Sequence, residues 1–282
     1  MARPSSVGVL VASPADAERL ARVVTPADAV RARRWHQTAD QARSLVAAAL
    51  LRIAAASRLG TVVAAVDLGR WCPRCGLADH GRPVALDPGG CPVPEVHLSA
   101  SHAGDLVVVA VTGAGPVGVD VERVGAATFD GFAPAVLTSR ERLALTAVPV
   151  ADQARWCARI WTRKEALLKA LGLGLTVDPS QVEVLGRARW PAGLVDGTWG
   201  SSTDGLSAHL LDLPGTGPTS TDGSVRRPDP AGGSDDHVGT VVLLATDVRP
   251  PTVAVFRLPA GPVDPNWIPD LGCGPTSQPP AG

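Results

Sequence analysis

Seven consecutive residues, Leu106-Val-Val-Val-Ala-Val-Thr112, form a nearly unbroken β-branched run. Such a run reads as a strand buried on both faces. Gly113-Ala-Gly-Pro116 supplies a turn, and a strand of another kind follows. In Val117-Gly-Val-Asp120-Val-Glu122 apolar and acidic residues alternate. Strand side chains two apart share a face. Val117, Val119 and Val121 therefore face a core, and Asp120 and Glu122 face away from it together.

A second charged segment lies downstream, Trp161-Thr-Arg-Lys164-Glu165-Ala-Leu-Leu-Lys169. In a helix, residues four apart share a face, so Glu165 and Lys169 stack. The helix then offers a carboxylate and ammonium groups beside the two strand carboxylates. Strand Cα atoms at i and i+2 lie about 6.7 Å apart, close enough for both carboxylates to reach one ion with Mg–O bonds of about 2.1 Å. Lysines nearby suit a phosphate-bearing ligand. The plainer alternatives are exposed strand positions and a solvated i,i+4 pair worth a few tenths of a kcal/mol.

Together the two segments resemble the 4′-phosphopantetheinyl transferases of the large, monomeric, surfactin-synthetase-activating kind. That family carries a Gly-x-Asp-x-Glu strand followed by a Trp-x-x-Lys-Glu-x-x-x-Lys helix, here Gly118 to Glu122 and Trp161 to Lys169. Gly81-Arg82-Pro83 and Ser101-His102 match two weaker motifs in the expected order. Arg31-Ala-Arg33-Arg34-Trp35 and Asp40-Gln-Ala-Arg43-Ser44 are similar as well. The resemblance covers roughly residues 5–260.

The resemblance implies an α/β (α+β) fold of two similar halves in a pseudo-twofold arrangement, each a small, mostly antiparallel sheet with packed helices. Residues 1–115 would hold the nucleotide of coenzyme A, and residues 116–261 the metal and catalytic groups. The implied reaction transfers 4′-phosphopantetheine from coenzyme A to a serine of an apo acyl or peptidyl carrier protein, releasing adenosine 3′,5′-bisphosphate. It is a holo-[acyl-carrier-protein] synthase reaction, serving secondary-metabolite biosynthesis. Asp120, Glu122 and Glu165 are the implied Mg²⁺ ligands. Lys169 is implied on the pyrophosphate, with Lys164 as a helper that also holds a neighbouring carboxylate. His102, with Ser101 nearby, would donate to a phosphate. Arg82, fixed by Gly81 and Pro83, would approach the 3′-phosphate or the adenine edge, joined by Arg31 and Arg43, whereas Arg33 and Arg34 read as solvated. Glu141 stands where the family has a proposed general base. It also fits the third position of a capping box under Thr138, and a metal-bound water is the rival base. Asp28 and Ala29 depart from the family, standing where some relatives place basic residues.

The charge balance, 26 basic against 27 acidic residues, argues against nucleic acid as a partner. No apolar run approaches the roughly 20 residues of a membrane span, and Val7 to Ala12 is too short for a signal-peptide core. A cytoplasmic monomer is the expectation. Five cysteines, an odd number, fit reduced thiols better than a disulfide framework. Cys72-x-x-Cys75 followed by His80 and Cys91 has the residue types of a tetrahedral zinc site, the alternative being an ordinary glycine turn. A non-catalytic, zinc-stabilised interaction module is the rival reading of the whole chain.

Along the chain, Val7–Ala12 reads as an opening strand. Ser13-Pro14 and Thr25-Pro26 start helices. Thr38 with Gln41 forms a capping box for a buried helix ending at Gly60. Residues 61–71 are ambiguous between helix and strand. Asp152 opens the helix that carries Trp161, which Gly172 ends. Strands are expected near 181–185, 206–212, 239–246 and 252–257. Residues 214–237 read as a disordered insertion, and 262–282 as a flexible tail.

Overall fold

The computed structural model describes residues 5–186, 188, 207–213, 237–245 and 250–271, except positions 79, 260, 262 and 266. Two main sheets stack face to face. In the first, β1 (Ser6–Ala12) lies between β5 (Leu106–Thr112) and β9 (Thr252–Arg257), and β4 (His97–Ala103) flanks β5. β1 is antiparallel to β5, with Leu10 opposite Val109, and parallel to β9, with Gly8 opposite Ala254. In the second, β8 (His237–Ala245) lies between β6 (Val117–Arg123) and β7 (Ser207–Asp212), all antiparallel. β2 (Asp67–Trp71) and β3 (Arg82–Leu86) form a separate antiparallel pair.

The burial of β5 is explained by what covers each face. Val107, Val109 and Val111 pack beneath α2 (Thr38–Leu59), while Val108 and Ala110 meet Val119, Val121, Val241 and Leu243 of the second sheet. The turn at 113–116 does not make a hairpin of β5 and β6; they enter different sheets. The outer face of the second sheet is covered by α5 (Val150–Leu171), through Ala166, Leu167 and Ala170. The order is thus helix, sheet, sheet, helix. Both long helices end at a left-handed glycine, Gly60 and Gly172, which relieves the strain a Cβ would meet there. Three short helices complete the fold: α1 (Pro26–Ala32), α3 (Phe132–Val136) and α4 (Ser139–Leu145).

Several expectations are corrected. Thr38 is the first helical residue, not a cap; Gln37 holds that place and makes no side-chain capping bond. Ser13 caps only a short 3₁₀ turn, Pro14–Ala17. The region 181–185 forms no strand: a 3₁₀ turn at Pro179–Gln181 leads into an extended segment with a single bridge residue. β9 joins the first sheet, so the boundary between halves is not a single cut in sequence. The expected tail is in part structural. Val263 and Leu271 are buried in the first core, with Trp267 and Ile268 packed against it, and Ser57 donates to the Pro269 carbonyl at 2.8 Å. The apolar residues among its prolines and glycines have a groove to fill. The proposed insertion lies outside the described residues, apart from His237, which opens β8.

Candidate active site

β6 and α5 touch at Gly118. A Cβ there would stand 1.8 Å from the Ala166 carbonyl oxygen and 2.7 Å from the Ala170 nitrogen. Only a glycine lets the strand lie this close to the helix. The alternation of β6 then turns Asp120 and Glu122 toward the helix face bearing Glu165 and Lys169.

Lys169 does not simply stack on Glu165. Its ammonium donates to Asp120 Oδ1 at 2.6 Å and to the Val119 carbonyl at 3.3 Å. Ser101, at the end of β4, donates to the same Asp120 oxygen at 2.7 Å. Two residues earlier, Ser99 Oγ accepts the Val119 N–H at 3.0 Å. The serine face of β4 thus ties the first sheet to β6. The Glu122 carboxylate accepts the indole N–H of Trp161.

Three carboxylates share this spot with one ammonium, and their protonation reflects it. Burial, then Asp120, raises the Glu165 pKa to about 7, with Lys169 opposing and Glu122 adding. Burial and Asp120 also raise Glu122. Asp120 Oδ2 and Glu165 Oε1 are buried with no hydrogen-bond partner. Buried oxygens of this kind ordinarily have one. A hard divalent cation supplies what both lack and offsets the repulsion, so the donor set fits Mg²⁺.

The carboxylates line a cleft of about 1420 Å³ to which both halves of the chain contribute. The same cleft is also basic. Arg31, Arg34, Arg70 and Arg82 line it, with Trp35, His102 and Pro83. Burial lowers the Arg82 pKa to about 10, so its guanidinium is desolvated yet still charged at neutral pH. Burial, then Arg43 and Lys169, lowers His102, favouring the neutral imidazole.

Three sequence assignments change. Glu141 is fully buried and its oxygens are filled: Oε1 accepts the Val184 N–H at 2.9 Å, and Oε2 accepts the Thr138 N–H at 2.9 Å and the Lys164 ammonium at 2.6 Å. It is a cap and a buried ion-pair partner, with no access to the cleft. Lys164 is likewise buried; it holds a neighbouring carboxylate as expected, that of Glu141, but is not turned to the cleft. Arg43 is held by Asp40 at 2.5 Å and the Gly104 carbonyl at 2.7 Å, and it does not line the cleft. Arg34 is exposed, as expected, and borders the cleft; Arg70 is a lining residue with no signal of its own in the sequence. Asp28, the family departure, is buried against Arg52 of α2, which donates to Oδ2 at 3.0 Å. Burial pushes its pKa up, but the bonds from Thr25 and Arg52 prevail and hold it below the usual value. Cys72, Cys75 and His80 come together at the cleft rim, while Cys91 stays apart.

The geometry gathers three carboxylates and an ammonium in a cleft that is also lined by arginines. Comparison with known proteins supplies the class. Residues 116–204 match the 4′-phosphopantetheinyl transferase superfamily model, and residues 11–113 match the model of the 4′-phosphopantetheinyl transferase N-terminal region. A 4′-phosphopantetheinyl transferase of Bacillus subtilis is 28% identical over 177 residues, which is 63% of this chain and 70% of that protein. One from Bacillus pumilus is 32% identical over 34% of this chain and 39% of its own length. One from Escherichia coli is 34% identical over 45% and 58%, respectively. The chain belongs to the 4′-phosphopantetheinyl transferase family.

Proposed function

We propose that this protein transfers the 4′-phosphopantetheine group of coenzyme A to a serine of an apo acyl or peptidyl carrier protein, with Mg²⁺, releasing adenosine 3′,5′-bisphosphate. The observation that carries this reading is the pair of orphaned carboxylate oxygens, on Asp120 and Glu165, in a cleft that arginines also line. Asp120, Glu122 and Glu165 would hold the ion. When bound, it neutralises the pyrophosphate and the leaving group.

The chain's own groups do the rest. Lys169, already fixed by Asp120, presents its ammonium beside the pyrophosphate, where charge develops on transfer. His102 donates to a phosphate from the end of β4. Arg82, Arg70 and Arg31 receive the nucleotide end. With Glu141 sealed in the core, the serine proton falls to a group in the cleft. With Glu165 assigned to the ion, a water held beside these carboxylates is the candidate acceptor. The reading makes the protein a cytoplasmic monomer that docks small acidic helical carriers.

The test is a panel of purified apo carrier proteins, each incubated with this protein, coenzyme A and Mg²⁺ and followed by intact mass. At least one carrier should gain one phosphopantetheine group, and its active-site serine replaced by alanine should gain none. A panel spanning fatty-acid, polyketide and peptide carriers with no gain in any member would refute the assignment.

A further inference from the structure

We propose that Cys72, Cys75 and His80 bind a zinc ion that staples the loop between β2 and β3 at the rim of the cleft. The three ligand atoms lie within 4.8 Å of one another, and Cys75 Sγ is 3.3 Å from His80 Nε2. Zn–S bonds of about 2.3 Å and Zn–N bonds of about 2.1 Å set tetrahedral ligand atoms roughly 3.4–3.8 Å apart. Only a small closure of the loop is required.

The turn is built for this. Gly76, at φ 70, donates its N–H to the Cys72 carbonyl at 2.9 Å, and the Cys72 N–H donates to the Leu77 carbonyl at 3.0 Å. The backbone N–H groups of Arg74 and Cys75 point at the Cys72 sulfur. Such donors stabilise a thiolate, the form in which cysteine ligates metal. Neither cysteine is in a disulfide.

The loop has a task and little else to hold it. Leu77 is exposed, and among the described loop residues only Cys72 is buried. Yet Pro73 rests on the end of α5: a Cβ on Gly172 would stand 2.5 Å from Pro73 Cγ. At its other end the loop passes through Gly81, at φ 93, into Arg82. A metal here fixes the approach of Arg82 and the contact with the helix that bears Glu165 and Lys169. Three protein ligands leave the fourth position to water. Cys91, expected from sequence as a ligand, sits instead on an exposed turn where its N–H bonds Asp87 at 2.8 Å. The soft sulfur ligands separate this site chemically from the all-oxygen Asp120 centre. The zinc site does not depend on the transfer reaction proposed above.

The experiment uses the full chain, reduced and stripped of metal, titrated with Zn²⁺ alone and with Co²⁺ alone. Wild type should take up about one tightly held equivalent of zinc. With Co²⁺ it should show a thiolate-to-metal charge-transfer band. Cys75→Ser and His80→Ala should weaken uptake at least about tenfold. Cys91→Ser and Asp120→Asn should keep both the uptake and the band, which also guards against misfolding of the ligand variants. No charge-transfer band in reduced wild type, or its loss in Cys91→Ser, overturns the site.

Discussion

Lys164 and Glu141 close a fully buried ion pair at 2.6 Å, and every charge in it is satisfied locally. The Lys164 ammonium also donates to the carbonyls of Val136 at 2.7 Å and Pro179 at 2.8 Å. One side chain of α5 thereby holds α3, α4 and the segment around 179–184. Lys164 is adjacent in sequence to Glu165, yet it is turned away from the face that bears Glu165 and Lys169 and braces the elements packed behind it.

Lys164→Met should therefore act on stability. It leaves Glu141 buried without its counter-charge, a change worth about 3–5 kcal/mol. Urea denaturation should show this loss, while the folded variant, assayed at low temperature, keeps its affinity for coenzyme A. Replacing both partners by apolar residues should not recover the loss, because the N–H groups of Thr138 and Val184 and the carbonyls of Val136 and Pro179 then lose their partners too. Unchanged stability with weakened coenzyme binding would return Lys164 to the cleft.

Asp120→Asn should reduce kcat/KM at least about a hundredfold, roughly 2.7 kcal/mol of transition-state stabilisation. It removes the anchor of Lys169 and, on the proposed reading, a cation ligand as well. Stability should hold or rise, because the variant relieves the repulsion that Asp120 exerts on Glu165 and Glu122. Thermal unfolding and turnover are measured on the same preparation. Near-normal turnover at ordinary Mg²⁺ removes Asp120 from the metal set.

Gly118→Ala tests the contact that builds the site. The added methyl has no room against the Ala166 carbonyl, which is backbone and cannot swing aside. β6 must shift away from α5, so stability should fall by about 2–4 kcal/mol and activity with it. A variant with wild-type urea midpoint and turnover would show that this approach is slack.

Much of this centre was legible because two periods coincide. Alternation along β6 put Asp120 and Glu122 on one face, and the helical repeat of α5 put Glu165 and Lys169 together. What a period cannot say is which partner a charge finds. The same helical wheel that presents Glu165 to the cleft buries Lys164, because Glu141 waits on the other side from a distant part of the chain. Arg70 was missed because residues 61–71 show no clear period. Only pairing with β3, Arg70 opposite Pro83, gives that segment a face. Apolar residues at 263–271 were discounted amid prolines and glycines, since sequence does not reveal the groove they fill.

His97 gives the fold an acid sensitivity. Burial, then Arg82 and Arg58, lowers its pKa to about 4 from the usual 6.5. The folded state therefore refuses a proton that the unfolded chain accepts. Stability from this group is whole above pH 6.5 and is lost as pH falls toward about 4. Glu165, raised to about 7, works in the opposite sense, since the folded state binds its proton first. The difference between wild type and His97→Gln isolates the histidine. Urea midpoints at neutral and mildly acidic pH should fall less in the variant; equal falls would mean that His97 titrates normally.

Arg82→Ala should weaken coenzyme A more than dephospho-coenzyme A. The Arg82 guanidinium is desolvated in the cleft, and Arg70 backs the same turn by donating to the Gly81 carbonyl at 3.1 Å. A desolvated guanidinium paired with a phosphate forms charge-assisted hydrogen bonds worth about 1.5–3 kcal/mol each. Dephospho-coenzyme A lacks the 3′-phosphate, so its affinity should change little. The Mg²⁺ dependence should stay as in wild type, because the carboxylates are carried by β6 and α5 whereas Arg82 is carried by β3. Calorimetric titration of both ligands decides it. Equal losses for the two would place Arg82 on another part of the coenzyme and reverse the orientation proposed for the nucleotide.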